Sequence, residues 1–149
     1  MGGSDAARPP MTVDEIREAF GFFDSWEDKY RFVIDLGKEL PDMDDAAKIE
    51  DNLVRGCQSQ VWLQSRVDEE TGRLHLTLDS DAHIVRGLIA IVLAAYDQRT
   101  PGEILDYDIE ALFGELDLLG HLSVTRGNGL RAMVETVRER AREAAAGTA

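Results

Sequence analysis

The chain of 149 residues contains one cysteine, Cys57, and four prolines. One cysteine cannot form an intramolecular disulfide, and it falls short of the four thiolates that usually hold an iron–sulfur cluster. The sequence therefore excludes a fold that depends on disulfides within the chain. It also disfavours a cluster scaffold that draws on this chain's thiolates alone. A single unpaired thiol favours a reducing, cytoplasmic location.

Basic residues are also scarce, because 16 Lys and Arg stand against 29 Asp and Glu and give a formal charge of −13. Binding to nucleic acid depends on cationic contacts with phosphate, and so does binding to an anionic membrane surface. The composition therefore argues against both partners. The longest apolar run, residues 87–96, is too short to cross a bilayer. Residues 1–10 lack the apolar core of a signal peptide.

The length fits one domain that buries about two-thirds of the surface of the unfolded chain. Residues 1–10 are small and polar and end in two prolines, so we predict a disordered leader there. No repeat or change of composition divides the rest. We therefore predict one domain over residues 11–149.

Apolar residues recur at helical spacing along most of the chain. Residues 82–98 are apolar nearly all round, which predicts the buried central helix of the domain. Around it we predict two N-terminal helices, two short helices and one C-terminal helix. The capping-box pair Thr12 and Glu15 predicts the start of the first helix, Ser25 that of the second, and Thr100-Pro101 that of the short helices. A loop is predicted at residues 119–129, and the C-terminal helix follows it. The acidic segment 41–52 is predicted to be a connector with one helical turn.

Residues 61–67 and 74–78 alternate apolar and polar side chains on either side of a turn, which predicts an antiparallel hairpin. An earlier short strand could join it. Strands in one block with helices on both sides indicate an α+β fold, a small antiparallel sheet packed against several helices. The next residues, Asp79-Ser80-Asp81, suit a helix start. We expect Asp79 to cap that helix, with a contact to a partner or to the cysteine loop as the alternative.

Cys57 follows a glycine, Gly56, whose backbone can turn tightly and place the thiol at the tip of a loop. Gln58, Ser59 and Gln60 supply hydrogen-bonding groups that could hold a sulfur anion. Since the thiolate is the nucleophilic form of cysteine, such a loop favours a reactive thiol. The alternative is a cysteine that packs as a small apolar residue.

The run RGCQSQVW at residues 55–62 resembles the active-cysteine signature of the SufE family, the sulfur acceptors that work with cysteine desulfurases in iron–sulfur cluster assembly. The resemblance extends in order from Trp26 to Val137. The further matches are Ser25-Trp26-Glu27-Asp28-Lys29-Tyr30, Glu39-Leu40-Pro41, Asp79-Ser80-Asp81, Ile84-Val85-Arg86-Gly87-Leu88, Tyr96-Asp97, Thr100-Pro101, His121-Leu122, and Arg126 with Gly129-Leu130. The resemblance implies a two-layer α+β fold, which the family shares with IscU-like scaffolds.

The resemblance implies that Cys57 takes a persulfide sulfur from a SufS/CsdA-like cysteine desulfurase and passes it to a downstream iron–sulfur scaffold. The chain would activate that enzyme without a turnover of its own. Pyridoxal phosphate would belong to the desulfurase, so no bound cofactor is expected. Arg55 and Arg126 are the candidate cations for the sulfur. Asp79, His121 and Arg126 are candidates for contact with the partner or the sulfur site.

We expect the cysteine loop to rest in a sheltered position, because an exposed persulfide is lost to small thiols or to oxidation. The protein is expected to be a monomer or a weak homodimer.

Four other interpretations use the same residues. A non-covalent regulatory module would leave Cys57 inert, and an IscU-like cluster scaffold would need three further ligands. A Cys-His hydrolase would need His121 within hydrogen-bond reach of the thiol. A zinc site could draw on Cys57, His75, His83 and His121. No pair of these has the short spacing of structural zinc sites, so we expect no metal.

Overall fold

The computed structural model describes residues 11–147, so the predicted leader lies outside the described residues. Within 11–147 the chain forms six α-helices and one two-stranded antiparallel sheet, which confirms the α+β class. The helices are α1 Val13–Phe22, α2 Trp26–Lys38, α3 His83–Tyr96, α4 Pro101–Asp106, α5 Ile109–Leu116 and α6 Val124–Gly147, and the strands are β1 Val61–Val67 and β2 Leu74–Ser80. Short 3-10 turns occupy Asp45–Ala47, Glu50–Asn52 and Leu119–His121.

Helix α3 forms the centre of the hydrophobic core, as its apolar sequence predicts. Eleven of its fourteen residues are buried. It crosses α2 where Gly37 meets Gly87. A Cβ atom at position 37 would lie 2.5 Å from the Gly87 nitrogen, and one at position 87 would lie 2.1 Å from the Val33 oxygen. Both distances are too short for real atoms, so the absence of a side chain at both positions allows the helices to approach.

The predicted hairpin is confirmed, with β1 and β2 paired from Val61 opposite Ser80 to Val67 opposite Leu74. The predicted earlier strand is a single bridge from Leu53 to Trp62. One face of the hairpin packs into the core. On the opposite face the connector at residues 41–52 covers Trp62, since Lys48 Nζ lies 5.5 Å from the centre of the Trp62 ring, whereas Gln64 and Arg66 are exposed. The connector therefore joins the sheet directly before it enters the cysteine loop.

Polar side chains begin three of the helices at the predicted residues. Thr12 accepts from the Glu15 amide, and Thr100 from the Glu103 amide, each in a reciprocal capping box. Ser25 accepts from the Asp28 amide at the start of α2. The connector differs from prediction, since it forms two 3-10 turns rather than one helical turn.

The predicted loop at residues 119–129 is wrong, because α6 begins at Val124. Ser123 closes the first turn: its Oγ accepts from the Arg126 amide at 3.1 Å, and its carbonyl accepts from the Gly127 amide at 2.9 Å. Glycines disfavour helix in isolation. Gly127 and Gly129 are nevertheless buried, so packing decides the conformation here.

The prediction that Asp79 caps α3 is also wrong. Asp79 and Ser80 belong to β2, and Ala82 precedes α3 without a side-chain capping bond. The Asp79 side chain instead bonds to the connector. Its carboxylate accepts from the Met43 amide at 2.9 Å.

Candidate functional site

The cysteine loop, residues 55–60, is fixed at its two ends. The Val54 amide donates to the Val61 carbonyl at 2.8 Å, which closes the base. The Gln60 amide donates to Asp81 Oδ1 at 3.1 Å, and the Asp81 amide returns a bond to the Gln60 carbonyl at 3.3 Å. Between these points Gly56 has φ +91°, a conformation that side chains strain to adopt. The predicted tight turn before Cys57 is therefore present.

The Cys57 thiol is half-buried and faces helix α6. Its Sγ donates to the carbonyl of Gly129 at 3.5 Å. A Cβ atom at position 129 would lie 3.7 Å from Sγ, so the helix backbone passes directly over the sulfur. Burial raises the pKa of Cys57, because loss of solvent disfavours the thiolate. The resting group is therefore a protonated thiol in contact with a backbone carbonyl.

A small cavity of about 50 Å³ lies against the thiol. Its lining combines an apolar group with a polar one. The apolar residues are Val61, Val85, Leu88, Leu130 and Met133, and the polar ones are Gln58, Ser59, Ser123, Thr125 and Arg126. A cavity needs roughly 10–15 Å³ to hold a single water. The cavity therefore has room for one additional sulfur atom on Cys57.

The two candidate cations have different positions. Arg126 projects from the first turn of α6 and lines the cavity, and its guanidinium makes no ion pair within residues 11–147. Arg55 is exposed on the loop and does not line the cavity. Of the two, Arg126 is therefore the one that lines the cavity beside the sulfur, while burial is what shifts the pKa of Cys57 in this arrangement.

The structure does not bring His121 to the thiol. Its imidazole stacks on Trp26 with the ring centres 4.4 Å apart and the planes 18° apart. Its Nδ1 lies 2.9 Å from the Asp117 carbonyl oxygen. The His121 ring is absent from the lining of the cysteine cavity, so a Cys-His hydrolase lacks its base in this arrangement.

Asp79 lies near the end of β2, opposite Trp62 of β1, and its partners are structural. Its side chain is 1 % exposed and forms ion pairs with Arg86 and with Lys48, the latter at 3.5 Å. Its oxygens also accept from the amides of Met43 and Ser80. A buried charge with this many partners is compensated on every side. The carboxylate therefore fastens the connector to the end of β2.

Sequence reasoning missed several residues of the site, namely Asp81 as an acceptor, Gly129 as a thiol partner, and Ser123, Thr125 and Met133 in the lining. Of these, Gly129 and Met133 could have been found from the spacing of residues in the C-terminal helix. Arg126, Gly129, Leu130 and Met133 recur at helical spacing and share one face of α6. A helix that begins at Val124 includes all four residues, and all four line the cavity beside Cys57.

Within the described chain, no group of three or more His, Cys, Asp and Glu side chains is arranged to hold a metal ion. His75 instead lies against the side chain of Gln98, and His83 is exposed at the start of α3. Across residues 11–147, no helix combines the length and apolar character needed to span a membrane.

The sequence matches a family model described as "SufE: Fe-S metabolism associated domain" over residues 14–141. It is 46% identical over 132 residues to an uncharacterized SufE-like protein of Rhizobium meliloti, covering 87% of this chain and 94% of the relative. It is also 46% identical over 137 residues to an uncharacterized SufE-like protein of Rhizobium etli, covering 91% and 93%. The solution structure of a hypothetical protein from Thermus thermophilus matches with a TM-score of 0.72 at 17% identity, covering 93% of this chain and 98% of that one. That last likeness concerns the fold alone.

Proposed function

The chain belongs to the SufE family, which is associated with iron–sulfur metabolism, and on that premise we propose that Cys57 accepts sulfur from a cysteine desulfurase. One observation supports this most strongly. The only thiol of the chain contacts α6 beside a cavity of about 50 Å³ whose lining includes Arg126. A thiol that served only to pack would not need a cavity of that size at its sulfur.

The proposed reaction is the exchange of one sulfur–sulfur bond for another. The thiolate of Cys57 attacks the terminal sulfur of a persulfide on the desulfurase. The bond between the two sulfurs of the enzyme breaks, a new bond forms to Cys57, and the enzyme's cysteine leaves as a thiolate. The proton lost from Cys57 goes to solvent or to the leaving thiolate. Oxidation states balance without a further reagent.

The resting geometry suits a thiol that is protected until a partner arrives. Burial raises the pKa of Cys57 and keeps it protonated in contact with Gly129. The loop is bonded at Val54 and Gln60, and between them the described residues show only the thiol bond to Gly129, so a docking partner would have one hydrogen bond to break at the tip. Docking of the desulfurase would bring the tip to the donor persulfide, and Arg126 would favour the anion that attacks.

The apolar side of the cavity suits the product. A persulfide is open to attack by small thiols and to oxidation, so it survives longest where solvent is excluded. Leu88, Leu130 and Met133 supply such a surface next to the sulfur. The persulfide would then be delivered to a downstream iron–sulfur scaffold. Pyridoxal phosphate would remain with the desulfurase, and this chain would bind no cofactor of its own.

The test is the variant Cys57→Ser, assayed with a desulfurase and free cysteine. We expect it to fold, because serine is smaller than cysteine and fits a half-buried position. We expect it to take up no sulfur and to give no stimulation of desulfurase turnover. Full stimulation by the serine variant would contradict the proposal and would support the non-covalent regulatory module.

A further inference from the structure

His121 fastens the segment between α5 and α6 to the first residue of α2. Its ring lies on the Trp26 ring at a centre-to-centre distance of 4.4 Å, and its Nδ1 lies 2.9 Å from the carbonyl oxygen of Asp117. Asp117 itself ends α5 in the left-handed conformation, with φ +55°. The imidazole is thus held on its face by an aromatic ring and at its edge by the backbone oxygen of Asp117, with the Asp117 carboxylate 3.4 Å from the same nitrogen.

Contacts continue from this point to the thiol. In the turn Leu119–His121, a Leu119 methyl carbon lies 3.6 Å from where a Cβ of Gly127 would be, so the turn packs closely on α6. Two residues further along α6, the carbonyl of Gly129 accepts from Cys57 Sγ. A displacement of the turn would therefore move the part of α6 that touches the sulfur.

We propose that His121 is a positioning residue for the cysteine site, which holds the first two turns of α6 against Cys57 by clamping the preceding turn to Trp26. It acts through α6, since its own ring does not line the cavity. Its consequence for sulfur transfer rests on the proposed function. Its consequence for the shelter of the thiol concerns the free protein and does not depend on that function.

The residue type fits this role. The His121 side chain is 40 % exposed, so it is not there to fill the core. A flat ring is needed to stack on Trp26, and a ring nitrogen is needed to reach the Asp117 oxygen. Among the standard side chains histidine offers both in the smallest group. Phenylalanine would keep the stack and lose the hydrogen bond, whereas alanine would lose both.

The experiment measures the rate at which an alkylating reagent labels Cys57 in the free protein, as a function of pH. The variants are His121→Ala, His121→Phe and, as a matched control, His83→Ala, which removes an exposed imidazole at the start of α3. We expect His121→Ala to be labelled on the order of fivefold faster near neutral pH, the factor that corresponds to losing one aromatic stack.

The pH profile separates a positioning role from general destabilisation. If α6 moves away from the thiol, the desolvation that raises the pKa of Cys57 is relieved. The midpoint of the labelling rate then shifts to lower pH in His121→Ala, while His83→Ala matches the wild type and His121→Phe lies between. Equal rates and midpoints in His121→Ala and the wild type would overturn the proposal. So would a faster rate fully explained by an equal rise in the globally unfolded fraction.

A second measurement keeps this proposal separate from the proposed function. With a desulfurase and cysteine, we expect His121→Ala to accept sulfur more slowly at saturating partner than the wild type does, because the displaced first turn of α6 would carry Arg126 away from the sulfur. If the wild type accepts no sulfur at all, the proposed function fails, and the labelling experiment still decides the role of His121. If the wild type accepts sulfur and the alanine variant does so at the same maximal rate, the positioning role in transfer is overturned.

Discussion

The cysteine loop and the Asp79 ion cluster lie at the same end of the hairpin, but they are held in opposite ways. The loop is bonded at its ends, and its thiol makes one hydrogen bond, 3.5 Å to the carbonyl of Gly129. Asp79 is 1 % exposed and is bonded to two backbone amides and two cations. One region therefore has a single hydrogen bond at its centre, and the other has a polar partner on every side.

The difference shows how a small domain can combine a thiol that has few bonds with a neighbouring ion cluster that is firmly bonded. Arg86, which neutralises Asp79, also donates to the carbonyls of Gly37 and Leu40 at the end of α2. The cluster thus joins α2, α3, the connector and β2. Changes in the cluster should cost more stability than changes in the loop, and changes in the loop should alter the reactivity of Cys57.

The largest effect is expected for Asp79→Ala, which leaves Arg86 and Lys48 without their buried partner. Removing one member of a buried ion pair costs about 3–5 kcal/mol in the free energy of unfolding. Urea unfolding measures this directly. Asp42→Ala is the matched control, because Asp42 also pairs with Arg86 but is largely exposed. Similar small losses in both variants would contradict the contrast between cluster and surface.

A smaller effect is expected for Gly56→Ala. The left-handed conformation costs a side chain about 1–2 kcal/mol, and the new methyl group would lie 3.3 Å from Ala132 on α6. Gly72→Ala is the control, because Gly72 has φ +75° but open space around it. Both variants should lose stability in urea, and only Gly56→Ala should change the rate at which Cys57 is alkylated. A changed rate in Gly72→Ala would count against a local effect on the loop.

The two arginines near the thiol provide the next comparison. We expect Arg126→Ala to slow sulfur uptake about tenfold, because a cation brought close to the attacking thiolate in the docked complex is worth roughly one pKa unit. Arg55→Ala should change the rate little, since Arg55 does not line the cavity. The readout is the initial rate of sulfur incorporation with saturating desulfurase. The reverse ranking of the two variants would show that the wrong cation has been assigned.

The smallest effect concerns pH and stability. Because the pKa of Cys57 is raised in the fold, the protonated thiol is favoured there. This stabilisation is fully present below the pKa of the thiol in the unfolded chain and is lost as pH rises through the folded value. The unfolding free energy of the wild type should therefore fall relative to that of Cys57→Ser across the alkaline range. A constant difference between the two in urea titrations would contradict a raised pKa.

Much of the fold can be predicted because its signals are local. The capping boxes at Thr12 and Thr100, the alternation in β1 and the apolar run of α3 each lie within one element. The cysteine of the site is predicted by a run of eight residues that resembles the SufE signature. These features need no knowledge of distant parts of the chain.

The errors occur where partners are far apart in sequence. Asp79 follows the pattern of a cap, but its bond to Met43 spans 36 residues and overrides that local preference. The start of α6 escapes prediction because Gly127 and Gly129 argue against a helix. Their reason for being there is close packing, with Gly129 next to a sulfur 72 residues away. Neither relation has a signature in the neighbouring sequence.

The central claim is that Cys57 carries sulfur, and the intact mass of the protein tests it most directly. The protein is incubated with a cysteine desulfurase and free cysteine, freed of small thiols and weighed with and without a reductant. We predict a gain of one sulfur atom that the reductant removes and that Cys57→Ser does not show. An unchanged mass, under conditions in which the desulfurase itself carries a persulfide, would contradict it.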